Sequence, residues 1–209
     1  MNYLTPARYG CAELVEKRSR FIGQVWPVET EEQAREIIDR VRAQYHDARH
    51  NCWCYILRSG AVRYSDDGEP QGTAGQPMLE VFRRGGVENV VCVVTRYFGG
   101  ILLGTGGLIR AYSGAAKMAL DAAGLASMQR RIQADVAVPY ALYERVRKGI
   151  EQSGGAVTDT QFGADVTLSF LCPQEALERI SAFVTEVSAG SAEVIERGEM
   201  FVPVPVGES

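Results

Sequence analysis

The sequence predicts an α+β protein of two domains, residues 1–124 and 128–209, with the boundary near residues 124–127. Three observations carry this. The chain has 209 residues, 46% of them hydrophobic, enough for one large core or two small ones. The first half centres on an unbroken apolar run, Val90 to Val94, between helix-like stretches. The second half reads strand, helix, strand, strand, helix, strand.

No element is predicted before Ser19. Ser19 to Val28 reads as a strand, with Pro27 near its end. Thr30 and Gln33 form a capping-box pattern, and Ala34, Ile37, Ile38, Val41 and Tyr45 follow at helical spacing. Asn51 to Leu57 is strand-like, and Ser59-Gly60 turns into a short strand, Ala61 to Tyr64. Thr73 and Gln76 box the start of a second helix, which tolerates Pro77 in its first turn and ends near Gly85-Gly86. The strand Asn89 to Thr95 is Val-rich without interruption, which predicts burial on both faces. Leu108 to Ala123 is helical, with Gly124 as its cap. Then come strand 129–138, helix 140–152, strand 156–162, a turn at Gly163-Ala164, strand 165–171, helix 174–189 and strand 192–204. That βαββαβ order is the order of a ferredoxin-like domain.

The net charge of −4 is unevenly spread. Residues 1–125 carry 15 Lys plus Arg against 14 Asp plus Glu, and residues 126–209 carry 7 against 12. The second half is therefore a poor surface for wrapping nucleic acid. Thirteen of the fifteen cations in the first half are arginine, the side chain suited to bidentate phosphate contact. No apolar run has the length of a membrane span, and Met1 to Gly10 lacks a secretory pattern, so a soluble cytoplasmic protein is expected. Five cysteines at irregular spacing do not form a disulfide framework.

Residues 95–112 hold the most informative motif. Gly99, Gly100, Gly104, Gly106 and Gly107 follow the apolar strand and precede a helix. A helix start carries unpaired N–H groups and positive dipole charge, so it holds an anion well, and Arg96 and Arg110 bracket the loop. The spacing matches neither a Walker motif nor a dinucleotide fingerprint. A tight strand-to-helix turn is the equally open structural reading. Tyr97 and Phe98, directly before the glycines, offer stacking surface for bases, with one of the two expected at the surface.

Residues 65–75 form a second special loop, with Asp66, Asp67 and Glu69 among Gly68, Pro70 and Gly72. Three uses stay open: ordinary turn chemistry, magnesium ligation, or pairing with Arg49, Arg96 or Arg110. His46, His50, Cys52 and Cys54 lack the spacing of a zinc site, and no structural zinc or other cofactor is expected. Cys52 with His50 makes a weak nucleophile–base pair, since residues two apart on a strand share a face without reaching each other.

These motifs together resemble the IMPACT / YigZ family. The carrying residues are Lys17-Arg18-Ser19-Arg20-Phe21-Ile22-Gly23, Ala48-Arg49-His50-Asn51-Cys52, the whole of residues 65–75, and Thr95-Arg96-Tyr97-Phe98-Gly99-Gly100 through Leu103 to Tyr112. The likeness is strong over residues 10–125. It implies a first domain similar to the second domain of small-subunit ribosomal protein S-five and to domain IV of elongation factor G. The appended domain is similar to that factor's domain V. Eukaryotic relatives carry a further N-terminal domain and restrain a starvation-activated kinase of translation initiation; that domain has no counterpart here, so the kinase mechanism is not expected to transfer. Cys54 departs from the family's expected pattern.

The expected function is non-enzymatic binding to RNA, the ribosome or a translation-related protein, with a regulatory role in translation or stress. A phosphate or nucleotide is the expected ligand chemistry. The expected site comprises Arg49, His50, Asn51, Asp66, Asp67, Glu69, Thr73, Arg96, Tyr97, Phe98, Gly99, Gly100, Gly104, Gly106, Gly107 and Arg110, with loops 65–75 and 95–110 on one anion-binding surface. The alternatives are a nucleotide- or phosphate-dependent small-molecule enzyme using the glycine loop and the three carboxylates, or a protein-interaction module.

Overall fold

The computed structural model describes residues 2–206. In chain order the elements are β1 (Tyr3–Pro6), β2 (Gly10–Glu16), β3 (Ser19–Pro27), α1 (Glu31–Gln44), β4 (His50–Ile56), β5 (Val62–Ser65), α2 (Gly75–Arg84), β6 (Val90–Tyr97) and α3 (Thr105–Ala123). They continue with β7 (Leu125–Val138), α4 (Tyr140–Gln152), β8 (Ala156–Phe162), β9 (Val166–Cys172), α5 (Gln174–Val187) and β10 (Val194–Pro205). The fold is mixed α and β, with two sheets and five helices among the described residues. The described residues divide into two compact units, one formed by residues 2–128 with residues 203–206, the other by residues 129–202.

In the first unit, β2-β3-β6-β4-β5 form an antiparallel sheet. The run Val90 to Val94 is buried on both faces, as its composition predicts. Val90, Cys92 and Val94 pack with α2 and α3, and Val91 and Val93 pack with α1. The α1 start follows its sequence pattern: the Thr30 hydroxyl accepts from the Gln33 N–H, while the Gln33 side chain accepts from the Glu29 N–H, one residue earlier than a standard capping box. Helix α3 begins at Thr105, three residues before the predicted start, and lies very close to the sheet. A Cβ on Gly23 would stand 2.3 Å from the Ala115 carbonyl oxygen, so only glycine allows this approach.

Two strands escape the hydrophobic pattern. β1 is four residues long and ends in Pro6, and edge strand β2 exposes Val15 while burying Leu14 only in part. Residues 125–127, which the sequence assigns to a boundary, open β7 and pair with β1: Leu4 faces Ser127 and Pro6 faces Leu125.

In the second unit, β7 pairs with β9 and with β10, and β9 pairs with β8. Ile132, Ala134, Val136 and Val138 of β7 and Leu168, Phe170 and Cys172 of β9 meet Val146 and Ile150 of α4 and Ile180 and Val184 of α5 in one core. The strict alternation along β9 explains why these elements match the sequence to within a few residues.

The loop before α2 is organised by one carboxylate. Asp66 Oδ1 accepts from the Ala74 and Gly75 N–H groups at 3.0 and 2.8 Å, and Oδ2 accepts from the Gly72 N–H at 2.7 Å. This corrects the expected Thr73 cap. Ala74 occupies the cap position, and the Thr73 hydroxyl donates to the Pro70 carbonyl instead. A carboxylate eight residues upstream does what a local side chain was expected to do, and it meets the positive end of the helix with a full charge. Asp66→Ala is expected to cost on the order of 3 kcal/mol in chemical denaturation, because three N–H groups lose a charged acceptor. A fragment ending at Met128 is expected to melt cooperatively and at higher temperature than one ending at Gly124, since only the longer one keeps the β1–β7 pairing.

Candidate functional site

The site is built on the C-terminal end of strand β6, where the chain leaves the sheet. Arg96 faces α3, as Val94 does, and is 5% exposed. Its Nη1 donates to Glu69 Oε1 at 2.6 Å, and its Nη2 donates to the Ser19 hydroxyl at 3.3 Å. The Tyr112 hydroxyl of α3 donates to the same Glu69 oxygen at 2.7 Å. Burial, together with Cys52 and Glu69 nearby, holds the Tyr112 hydroxyl far above its ordinary range, so it stays a donor. The guanidinium carbon of Arg96 lies 5.4 Å from the Phe21 ring centroid and 5.5 Å from that of Phe98. Arg49 lies 5.7 Å from the Phe98 centroid, so the chain stacks Phe21, Arg96, Phe98 and Arg49 from core to surface.

The 65–75 loop enters from the other side. Asp67 Oδ2 accepts from the Asn51 N–H at 2.7 Å and Oδ1 from Arg42 at 3.0 Å. The Asn51 side chain accepts from the Thr95 hydroxyl and donates to the Tyr45 carbonyl. His50 Nδ1 donates to the Asp67 carbonyl at 2.8 Å, which leaves Nε2 toward Glu69 Oε1, 3.9 Å away. The Cys52 thiol donates to the Asp66 carbonyl, and burial pushes it far above the ordinary range for a thiol. It is a structural donor rather than an activated nucleophile.

Between the two loops lies a cavity of about 350 Å³. Arg49, His50, Glu69, Arg96, Phe98 and the Gly104-Thr105 start of α3 line it, together with Pro70 and apolar Leu102, Leu103 and Leu108. Arg96 Nε is buried without a hydrogen-bond partner, and Gly104 caps α3 without a side-chain bond. Arg49 pairs with no carboxylate among the described residues. The arrangement presents cationic and N–H groups around a space with one apolar wall.

Several expected site residues fall elsewhere. Arg110 is exposed and lines a different groove with Arg84, Ser113 and Lys117; α3 carries Thr105 to one side and Arg110 to another. Asp66, Asp67 and Asn51 brace the cavity without lining it, and so does Thr73. Tyr97 is half-buried and donates to Asp47, whereas Phe98 is exposed. Gly99 sits against the β2–β3 turn, where a Cβ would stand 2.0 Å from the Arg18 carbonyl carbon; Gly100 continues the loop, and Gly106 and Gly107 belong to the first turn of α3. The three carboxylates do not converge as magnesium ligands: Asp66 is taken by N–H groups, Asp67 by Arg42 and Asn51, and Glu69 by Arg96 and Tyr112. Leu102, Leu103, Thr105 and Leu108 were not anticipated as lining. Their signal is the apolar Ile-Leu-Leu inside an otherwise glycine-rich loop.

The Impact N-terminal domain family matches residues 17–120, and a family described only as a domain of unknown function (DUF1949) matches residues 136–191. IMPACT family member YvyE of Bacillus subtilis is 32% identical over 201 residues, covering 95% of this chain and 92% of its own length. IMPACT family member YigZ of Escherichia coli is 34% identical over 183 residues, covering 86% and 90%. A crystal structure of a hypothetical protein superposes with a TM-score of 0.60 at 31% identity, covering 100% of this chain and 98% of that one. With four separate motifs in order, two family domains in series and relatives alike over nearly their full lengths, the chain belongs to the IMPACT family.

Proposed function

We propose that this protein is a non-enzymatic binding protein that takes a phosphate-bearing ligand of the translation apparatus, RNA or the ribosome, at the cavity between the 65–75 and 98–105 loops. The observation that carries this is Arg96: a guanidinium almost wholly buried, on the cavity wall, with Nε unpartnered. Nε itself is closed off from the cavity, so an entering anion is drawn by the buried guanidinium charge while exposed Arg49 is free to make direct contact. The start of a 19-residue helix and the unpaired Arg49 add to the same attraction. A regulatory role in translation or stress, and a cytoplasmic location, rest on family membership; no helix among the described residues is long and apolar enough to cross a membrane. The likenesses to ribosomal protein S-five and to a ferredoxin-like domain belong to the same reading. The latter is supported by the pairing of β10 with β7, β7 with β9 and β9 with β8 around two helices.

Arg49→Ala is expected to keep the melting temperature, since Arg49 is exposed and only stacks on Phe98. It should weaken RNA binding and lower the slope of log affinity against log salt by about one. Unchanged affinity and slope would refute the cavity as the phosphate contact. Arg96→Met is expected to cost about 3–5 kcal/mol in denaturation, because Glu69 is left buried without its partner, with Glu69→Gln on the same chain recovering part of the loss.

A further inference from the structure

Resting on the phosphate-binding reading above, we infer that the cavity takes a nucleoside 5′-monophosphate, either free or as the 5′ end of a strand, with the phosphate against Arg96 and the α3 start and the base on Phe98.

Depth argues for an end or a small molecule. Arg96 is 5% exposed, whereas Phe98 is 39% and Leu102 83% exposed, so charge lies inside and apolar surface lies outside. The convex backbone of a duplex has no route to a guanidinium so placed. A volume of about 350 Å³ is at the small end of ligand pockets, which run from roughly 300 to 1,000 Å³. Charge argues the same way. A terminal phosphate monoester carries about −1.5 to −2 at neutral pH, while an internal diester carries a single charge. Arg49, Arg96 and the helix start face one buried carboxylate, Glu69, which leaves positive charge to spare for the monoester. Arg49 covers the outer side of the Phe98 ring, and its move onto the phosphate bares that side for a planar base, with exposed Leu102 lining the same cavity.

Calorimetric titration of the full chain tests this with AMP, UMP, a 5′-phosphorylated tetranucleotide, its 5′-hydroxyl counterpart and inorganic phosphate. The monophosphates are expected to bind at least about tenfold more tightly than inorganic phosphate, with Phe98→Leu removing about tenfold of nucleotide affinity, leaving phosphate within about twofold, and Phe98→Trp restoring the loss. Binding of the phosphorylated tetranucleotide over its 5′-hydroxyl counterpart identifies strand ends as a source. Binding of AMP and UMP alone identifies the free nucleotide. Nucleotides no tighter than phosphate would overturn the nucleotide assignment while leaving the phosphate reading intact. Equal loss of phosphate and nucleotide in Phe98→Leu would show that the ring only holds the arginines, and would overturn the stacking role. Equal binding of the two tetranucleotides would overturn the terminal-phosphate assignment for strands. Failure of every anion to bind would sink the phosphate reading itself.

Discussion

The buried pair of Glu69 and Arg96 is the constraint on which the rest of the site depends. Two charges taken out of water cost several kcal/mol each unless their remaining donors and acceptors are met. Here one carboxylate oxygen receives both Arg96 and Tyr112, and the guanidinium also reaches Ser19. Those four residues come from the 65–75 loop, β6, α3 and the start of β3. No single element can shift without uncovering a charge. The pair therefore does little for net stability compared with an apolar replacement, but it fixes where the loop, the strand end and the helix stand relative to one another. The unpartnered Arg96 Nε is what this packing leaves over.

Acidic residues do not spoil a cationic site when they are spent inside the protein. Asp66 is consumed by the start of α2, and Asp67 by Arg42 and the Asn51 N–H. Their proximity to the cavity adds order more than repulsion. This is how a chain of net charge −4 presents an exposed, unpaired Arg49 beside the buried Arg96 at one place. Formal charge counted along the sequence cannot reveal that, because it does not say which charges are already paired.

Much of the fold is legible because its signals are periodic and local. The β6 run, the α1 stripe and the alternation along β9 are patterns of burial, and burial decides the elements. β1 is not legible because it is held by pairing with the distant β7, and β2 because, at the edge of the sheet in a hairpin with β3, it buries no large apolar side chain fully. The cavity is partly legible. The two loops, their charges and Phe98 stand out as residue types, but which carboxylate meets which arginine is set by tertiary geometry. Thr73 fits a cap by sequence, yet Asp66 does the work from a loop that must first fold back. Arg110 fits the motif by sequence, yet the turn of α3 carries it to another groove. Tyr112 reads as a core aromatic, and its role lies in a single oxygen atom that hydropathy ignores.

The glycines of the 99–107 loop answer to different masters. Gly99 is forced by the backbone of Arg18, just as Gly23 is forced by that of Ala115. Any relative that keeps this fold must keep them, whether or not it retains a ligand. Gly106 is under no such compulsion: a Cβ there would meet only the end of the Arg110 side chain, at an ordinary 3.5 Å. Substitution at 23 or 99 therefore disturbs the fold before it can report on a ligand, whereas Gly106→Ala leaves the packing around the loop as it is.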